Sequence, residues 1–236
     1  MDQNIKEYNR PIQWLRGVAV LAVIVFHFDK NLLPGGYLGV DLFLVISGYL
    51  VGGSIIKNRL GSLDELLKFI EKRFWRLVPA LFVVILFGLI LFSILATPDE
   101  SHEAIKAAMS SLFGVSNIYF WTSGGYFAGS TDYNFLLHTW SLSLEWQYYL
   151  TFAILCLLAF RLNQGSHLDL ILAFVFLLSF VLSVLGSHYF DSANFYLLPG
   201  RFWEFIAGTI VWRLHNSKQM GQYSLTSTFL GINFGF

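Results

Sequence analysis

Charge is scarce in this sequence. Asp, Glu, Lys and Arg together make up 13% of the 236 residues, about half the share in an average soluble domain. Hydrophobic residues make up 56% and aromatics 18%, and the mean hydropathy is +0.60. A solvated globular surface cannot be built from so few ions, so the chain reads as an integral membrane protein. Acidic and basic residues balance at 15 each, and there is no Lys/Arg tract, which excludes the basic footprint of a nucleic-acid partner. The single cysteine, Cys156, lies inside an apolar run and can form no intrachain disulfide; packing is its expected role. No small-residue cleavage pattern follows the first apolar stretch, and "FHFDKNLLPGG" is a poor cleavage site, so an uncleaved first span is expected. There is no internal repeat at a solenoid period and no sign of a second, soluble domain.

What is present is a series of long apolar segments joined by short polar connections. About 20 residues suffice to cross the hydrocarbon core, and six segments qualify: about 12–28, 37–56, 77–97, 135–160, 168–188 and 195–214. The expected fold class is therefore all-α, a polytopic transmembrane helical bundle of about six or seven spans. The segment 102–122 is the ambiguous one, readable as a seventh span, a re-entrant piece or an interfacial helix. If it does not cross, twelve basic residues fall on one side, including six in 57–76, and only Lys30 and Lys106 on the other. The positive-inside rule then puts both ends in the cytoplasm.

"GSLDELLKFIEKRFWR", residues 61–76, has apolar residues at helical spacing, and Ser62 with Glu65 matches a capping box. An amphipathic helix on the inner membrane surface is expected there. Residues 123–134 read as an irregular external turn. The final stretch, "HNSKQMGQYSLTSTFLGINFGF", begins another apolar run and stops, so further carboxyl-terminal helices are expected beyond a membrane domain that fills residues 1–236.

Ionisable groups inside spans are costly unless they are paired or face water, and they mark candidate sites. They are Arg16, His27, Asp41, Glu145, Arg201 and Glu204. Arg16 and His27 are eleven positions apart, which puts them within about 20° of one helix face and roughly 16 Å apart along the axis. His138, Ser141 and Glu145, at i, i+3 and i+7, present an imidazole, a hydroxyl and a carboxylate on one face. Arg201 and Glu204 are spaced to pair. Arg73 and Arg76 share a face at the start of the third span and could clamp phosphates bidentately. Each group also has a plain structural reading. Arg16 could be a snorkelling anchor, His27 an interfacial residue, Asp41 a helix-terminal charge, and Arg201 with Glu204 a self-neutralising pair. Arg73 and Arg76 could set topology or bind lipid phosphates. Glu145 has no basic neighbour in its own helix, so it needs a partner elsewhere or a proton.

Six blocks in order, "RGVAVLAVIVFH", "GYLGVDLFLVISGYLVG", "KRFWRLVPAL", "VSNIYFW", "LLHTWSLSLEWQYYL" and "GRFWEFIAG", cover the chain from residue 12 to about 213. Together they resemble the acyltransferase-3 family of membrane acyltransferases. The resemblance implies a bacterial inner-membrane, multi-pass O-acyltransferase. Such an enzyme moves an acyl group, commonly acetyl from acetyl-CoA, to a hydroxyl of an envelope glycan or lipid-linked carbohydrate such as lipopolysaccharide, peptidoglycan or exopolysaccharide. Acyl-CoA would be the donor substrate, and neither a bound cofactor nor a metal is expected. Matched onto this chain, the family's first-helix motif is Arg16 and His27, its third-helix arginines are Arg73 and Arg76, and its glutamate block holds Glu145. Asp41, Arg201 and Glu204 match its remaining charged positions. Family membrane domains usually have roughly ten helices, more than fit here by the 20-residue criterion.

On that resemblance, acyl-CoA phosphates would dock near Arg73, Arg76 and Arg16, with the thioester reaching towards His27. Imidazole suits either a general base for the sugar hydroxyl or an acyl acceptor, and Glu145 could orient it. Two other classes stay open at this point. One is a proton-coupled transporter or lipid-linked sugar translocator with His27, Glu145 and Arg201 as a relay; the other is an inactive fragment.

Overall fold

The computed structural model of the chain describes residues 10–124, 134–162 and 167–216. Most of the expected external turn at 123–134 and the chain after 216 lie outside the described residues. Among the described residues the structure is helical throughout. In chain order the helices are α1 (Arg10–Phe28), α2 (Leu38–Lys57), α3 (Leu63–Leu95), α4 (Pro98–Leu112), α5 (Ser116–Thr122), α6 (Thr139–Arg161), α7 (Leu168–Tyr189), α8 (Asp191–Tyr196) and α9 (Leu198–Asn216). Five of them, α1, α2, α3, α6 and α7, are long and apolar enough to cross a membrane. The sixth expected span, 195–214, falls largely on α9, which carries Arg201, Glu204 and Arg213 within 19 residues and stands apart from the five.

The chain divides into two compact units, one comprising residues 1–54 and 204–236 and the other 55–203. In the first unit α1 packs closely on α2. A methyl group on Gly39 would run into the Ala19 carbonyl oxygen. α2 contains a π-helical turn, Gly48–Gly52, and here Gly48 meets Gly208 of α9. A Cβ on Gly48 would overlap the Phe205 carbonyl, and one on Gly208 the Val45 carbonyl. Small residues permit this backbone-to-backbone approach where lipid offers no hydrophobic drive for helix association. Thr209 Oγ1 shares its one hydrogen between the Gly48 carbonyl oxygen across the crossing at 3.0 Å and the Phe205 carbonyl oxygen of its own helix at 3.1 Å.

In the second unit α3 begins with the expected capping box. The Glu65 amide donates to Ser62 Oγ at 3.2 Å, and Glu65 Oε2 accepts from the Ser62 and Gly61 amides at 3.2 and 2.9 Å. The amphipathic segment 61–76 is not a separate surface helix. It is the first part of one 33-residue helix that runs through Pro79 to Leu95. At 1.5 Å per residue that helix is about 50 Å long, well beyond a hydrocarbon core of about 30 Å, so its polar first turns extend past the core.

The ambiguous segment 102–122 is two helices rather than one. A second capping box starts α4. Glu100 accepts from the Thr97 amide and hydroxyl, both at 2.7 Å. The amide, then the hydroxyl, hold its carboxyl below the usual carboxylate range. α4 ends in a Schellman motif: Gly114 has φ +69°, its amide bonds the Ser111 carbonyl at 3.1 Å, and the Val115 amide bonds the Ser110 carbonyl at 2.8 Å. With 15 and 7 residues, neither α4 nor α5 reaches the length of a span. A buried polar seam joins both to α6. Ser111 Oγ lies 2.7 Å from Thr139 Oγ1, Thr139 Oγ1 donates to Ser116 Oγ at 3.0 Å, and Ser116 Oγ lies 2.7 Å from Ser143 Oγ. Around it the core is aromatic, with Phe120, Tyr148, Phe152 and Tyr196 fully buried.

Candidate active site

In the second unit the structure joins two of the expected residues through a third that sequence reasoning passed over. Glu145, 1% exposed, sits on the inner face of α6. One turn later Tyr149, also buried, donates its hydroxyl to Glu145 Oε1 at 2.5 Å. The ring of Tyr149 lies under the Arg73 guanidinium, 5.4 Å from its centroid, and Phe69 supports the same guanidinium from α3 at 5.4 Å. Tyr149 thus bridges a cation on α3 and a carboxyl group on α6, using its π face for one and its hydroxyl for the other. Cation–π contacts contribute about 0.5 kcal/mol when exposed and about 2 when desolvated. Leaving a buried acceptor without its donor costs roughly 1–3 kcal/mol. The arrangement fixes the azimuth of a planar cation whose geometry matches carboxylate and phosphate oxygens.

The other expected residues of this unit have different surroundings. Arg76, three positions beyond Arg73, is exposed, so the two arginines do not share one environment. Ser141 Oγ donates to the His138 carbonyl oxygen at 3.1 Å. His138 precedes the first residue of α6 and is exposed, whereas Glu145 is buried. Ser141 and Glu145 therefore have separate local partners, which the i, i+3, i+7 spacing did not foretell. Arg201 donates Nε to the Phe195 carbonyl oxygen at 3.3 Å and stacks over the Phe195 ring at 5.1 Å.

In the first unit Arg16 and His27 both belong to α1, as expected. Arg16 is half-buried, with its guanidinium 4.6 Å from the centroid of the Phe43 ring on α2. His27 is exposed in the last turn of α1. Its Nδ1 lies 2.8 Å from the Val23 carbonyl oxygen. A carbonyl only accepts, so Nδ1 carries the hydrogen, and in a neutral ring the lone pair is then on Nε2. Asp41 lies in the first turn of α2, as expected of a helix-terminal charge, and Glu204 is buried. Among the described residues no group of three or more His, Cys, Asp or Glu side chains could hold a metal ion.

Phe69, Phe43 and Tyr149 are the neighbours that sequence reasoning missed. Two of them had a signal: Phe69 lies four residues before Arg73 and Tyr149 four after Glu145, the spacing of facing side chains on a helix.

A family model for an acyltransferase domain matches residues 9–234. BcsY of Komagataeibacter xylinus, provisionally named a membrane-bound transacylase, is 37% identical over 217 residues, which cover 90% of this chain and 53% of BcsY. The O-acetyltransferase OatA of Staphylococcus aureus (strain NCTC 8325 / PS 47) is 35% identical over 142 residues, 59% of this chain and 23% of OatA. The peptidoglycan O-acetyltransferase OatA of Listeria monocytogenes serovar 1/2a (strain ATCC BAA-679 / EGD-e) is 36% identical over 150 residues, 61% and 24% of the two chains. The chain thus spans about half the length of BcsY and about a quarter of either OatA. No solved structure matches it.

Proposed function

Because the chain belongs to the acyltransferase-3 family, we propose that it is a multi-pass O-acyltransferase of the bacterial inner membrane, with its amino terminus in the cytoplasm. It moves an acyl group, acetyl in the simplest case, from acyl-CoA to a hydroxyl of a cell-envelope carbohydrate. The observation that carries this reading is the contact of the His27 ring with a backbone carbonyl of its own helix. With Nδ1 engaged by the Val23 carbonyl at 2.8 Å, Nε2 is the basic nitrogen and suits proton abstraction from a sugar hydroxyl. The freed alkoxide oxygen attacks the thioester carbonyl, the C–S bond breaks, and the imidazolium returns its proton to the departing thiolate. The products are an ester and free CoA.

On the donor side, a guanidinium oriented by two aromatic rings suits bidentate capture of a phosphate, which supports assigning Arg73, with Arg76 beside it, to the CoA phosphates. In the first unit, Arg16 is held against Phe43, about 16 Å of helix away from His27, and its guanidinium suits a phosphate. A peptidoglycan acceptor is supported by the name of the Listeria OatA relative; the acceptor sugar is part of the proposal.

The reading is tested by replacing His27 with alanine in the producing cell and analysing the envelope glycan by mass spectrometry for ester-linked acyl groups. Loss of the ester with normal membrane insertion is expected, and modification at the parental level would remove His27 from the chemistry. Arg73→Ala with Arg76→Ala should weaken acyl-CoA binding to isolated membranes; unchanged binding would return the pair to a topological role. Glycan movement across the membrane without covalent change would favour a translocator instead.

A further inference from the structure

We propose that α4 and α5 form a re-entrant hairpin whose tip, Leu112–Val115, lies among the acyl chains of the bilayer without crossing it. From residue 107 to 121 the sequence has no charged residue. Within that stretch the usual sidedness of a surface helix is inverted. Ser111, Ser116 and Asn117 are buried against protein, whereas Met109, Leu112, Phe113, Val115 and Ile118 are exposed, Phe113 at 78%. In water this would be a contiguous apolar patch with its polar groups turned inward. Lipid is the occupant that fits, because α3 and α6, on which α4 packs, are themselves of membrane-crossing length and composition.

The charged residues of α4 all precede the apolar stretch. Asp99, Glu100, Glu103 and Lys106 lie in its first nine residues, and the ten steps from Glu103 to Phe113 cover about 15 Å, half of a hydrocarbon core of about 30 Å. The chain then comes back. Tyr119 of α5 donates its hydroxyl to Glu103 Oε2 at 2.6 Å, and Lys106 pairs with Glu103 Oε1 at 2.8 Å. The Tyr119 hydroxyl is thereby brought back to the Glu103 carboxyl. The two legs are thus pinned side by side with both ends at one surface.

Irregular backbone at membrane depth is tolerated only where protein satisfies its polar groups, and α6 does so at this break. Gln147 Nε2 donates to the Gly114 carbonyl oxygen at 3.1 Å, and Ser143 Oγ accepts from the Ser116 amide at 3.1 Å. The remaining turn amides at 114 and 115 close within the Schellman motif. Thr139, Ser143 and Gln147 recur every four residues, so one polar stripe of α6 serves the hairpin while Glu145 and Tyr149 occupy another face.

Single cysteines at His102, Phe113 and Ser123 in the full chain, with Cys156→Ala, test this in sealed vesicles of both orientations. The probes are a membrane-impermeant maleimide and, at 113, a nitroxide read by collision with oxygen or a soluble nickel chelate. Positions 102 and 123 should be modified from the same side, while 113 resists the maleimide and its nitroxide relaxes with oxygen. Met109→Cys, one turn earlier on the same face, should report as 113 does and covers a misfolded 113 variant. Modification of 102 and 123 from opposite sides would mean a crossing, and ready modification of 113 would mean a helix lying on the surface. Either result overturns the hairpin. The readout is independent of acyl transfer.

Discussion

Replacing Tyr149 with phenylalanine separates the two functions of that side chain. The ring remains under Arg73, 5.4 Å from the guanidinium, while the hydroxyl that donates to buried Glu145 at 2.5 Å is lost. A buried acceptor deprived of its donor costs roughly 1–3 kcal/mol. For a chain of this size about 1 kcal/mol moves Tm by roughly 2–4 °C, so Tyr149→Phe should lower Tm by about 2–12 °C in detergent or nanodiscs. Acyl-CoA binding should stay close to parental, because the stacking that orients Arg73 is intact. Tyr149→Leu removes ring and hydroxyl together. It should lose a further 0.5–2 kcal/mol or so and weaken donor binding as well. Paired measurement of Tm and of acyl-CoA affinity by calorimetry checks both. A Tyr149→Phe variant with parental Tm would refute the bridging role, and equal donor affinity in both variants would refute the orientation of Arg73 by this ring.

Other outcomes follow from the same kind of reasoning. Thr209→Val deletes the bond to the Gly48 carbonyl and should lower stability by about 1 kcal/mol, whereas Gly208→Ala drives a methyl into the Val45 carbonyl and should cost about 1–3 kcal/mol or more through overpacking; thermal melts rank the two. Gln147→Leu leaves the Gly114 carbonyl without its donor, and hydrogen exchange should show faster opening of α4 and α5 than of α7. Lys106 and then Tyr119 hold the Glu103 carboxyl below its ordinary value, so the pin it forms is complete above the usual carboxylate range and lost as pH falls through the lowered value; exchange protection of α4 should drop on that acid limb and, in Glu103→Gln, lose its pH dependence there. Burial, then the bond to Glu103, pushes the Tyr119 phenol up to about 12, so the stability it contributes is present below 10 and lost as pH rises through about 12; in absorbance titrations the difference between the parental chain and Tyr119→Phe should be a phenol ionising near that value.

The elements that local chemistry decides were legible in the sequence. Ser62 and Glu65 announced a helix start, and the structure begins α3 there. Asp41 fell in the first turn of α2 and Glu145 in a buried position of α6, as the cost of an intramembrane charge suggests. What depended on a neighbouring helix was not legible. Tyr149 reads as one more aromatic in "EWQYYL" until Arg73 from α3 is seen above its ring. His138 and Ser141 matched a helical face, yet α6 starts only at Thr139 and the Ser141 hydroxyl is taken up by a backbone carbonyl. The change near residue 76 from an amphipathic stretch to an apolar one reads as the boundary between a surface helix and a span, yet the backbone continues as one helix through Pro79. Segment 102–122 stayed ambiguous because its decisive residue is one glycine, Gly114, whose positive φ ends α4 and lets the chain turn back.

The proposed activity is tested most directly by acyl transfer in membranes. Inside-out vesicles from cells producing the full chain, given acetyl-CoA labelled in the acetyl group, should yield a labelled, base-labile ester on the envelope glycan, and His27→Ala vesicles should yield none. Label that stays on CoA while the glycan is present, or that reaches the glycan equally with His27 replaced, would contradict it.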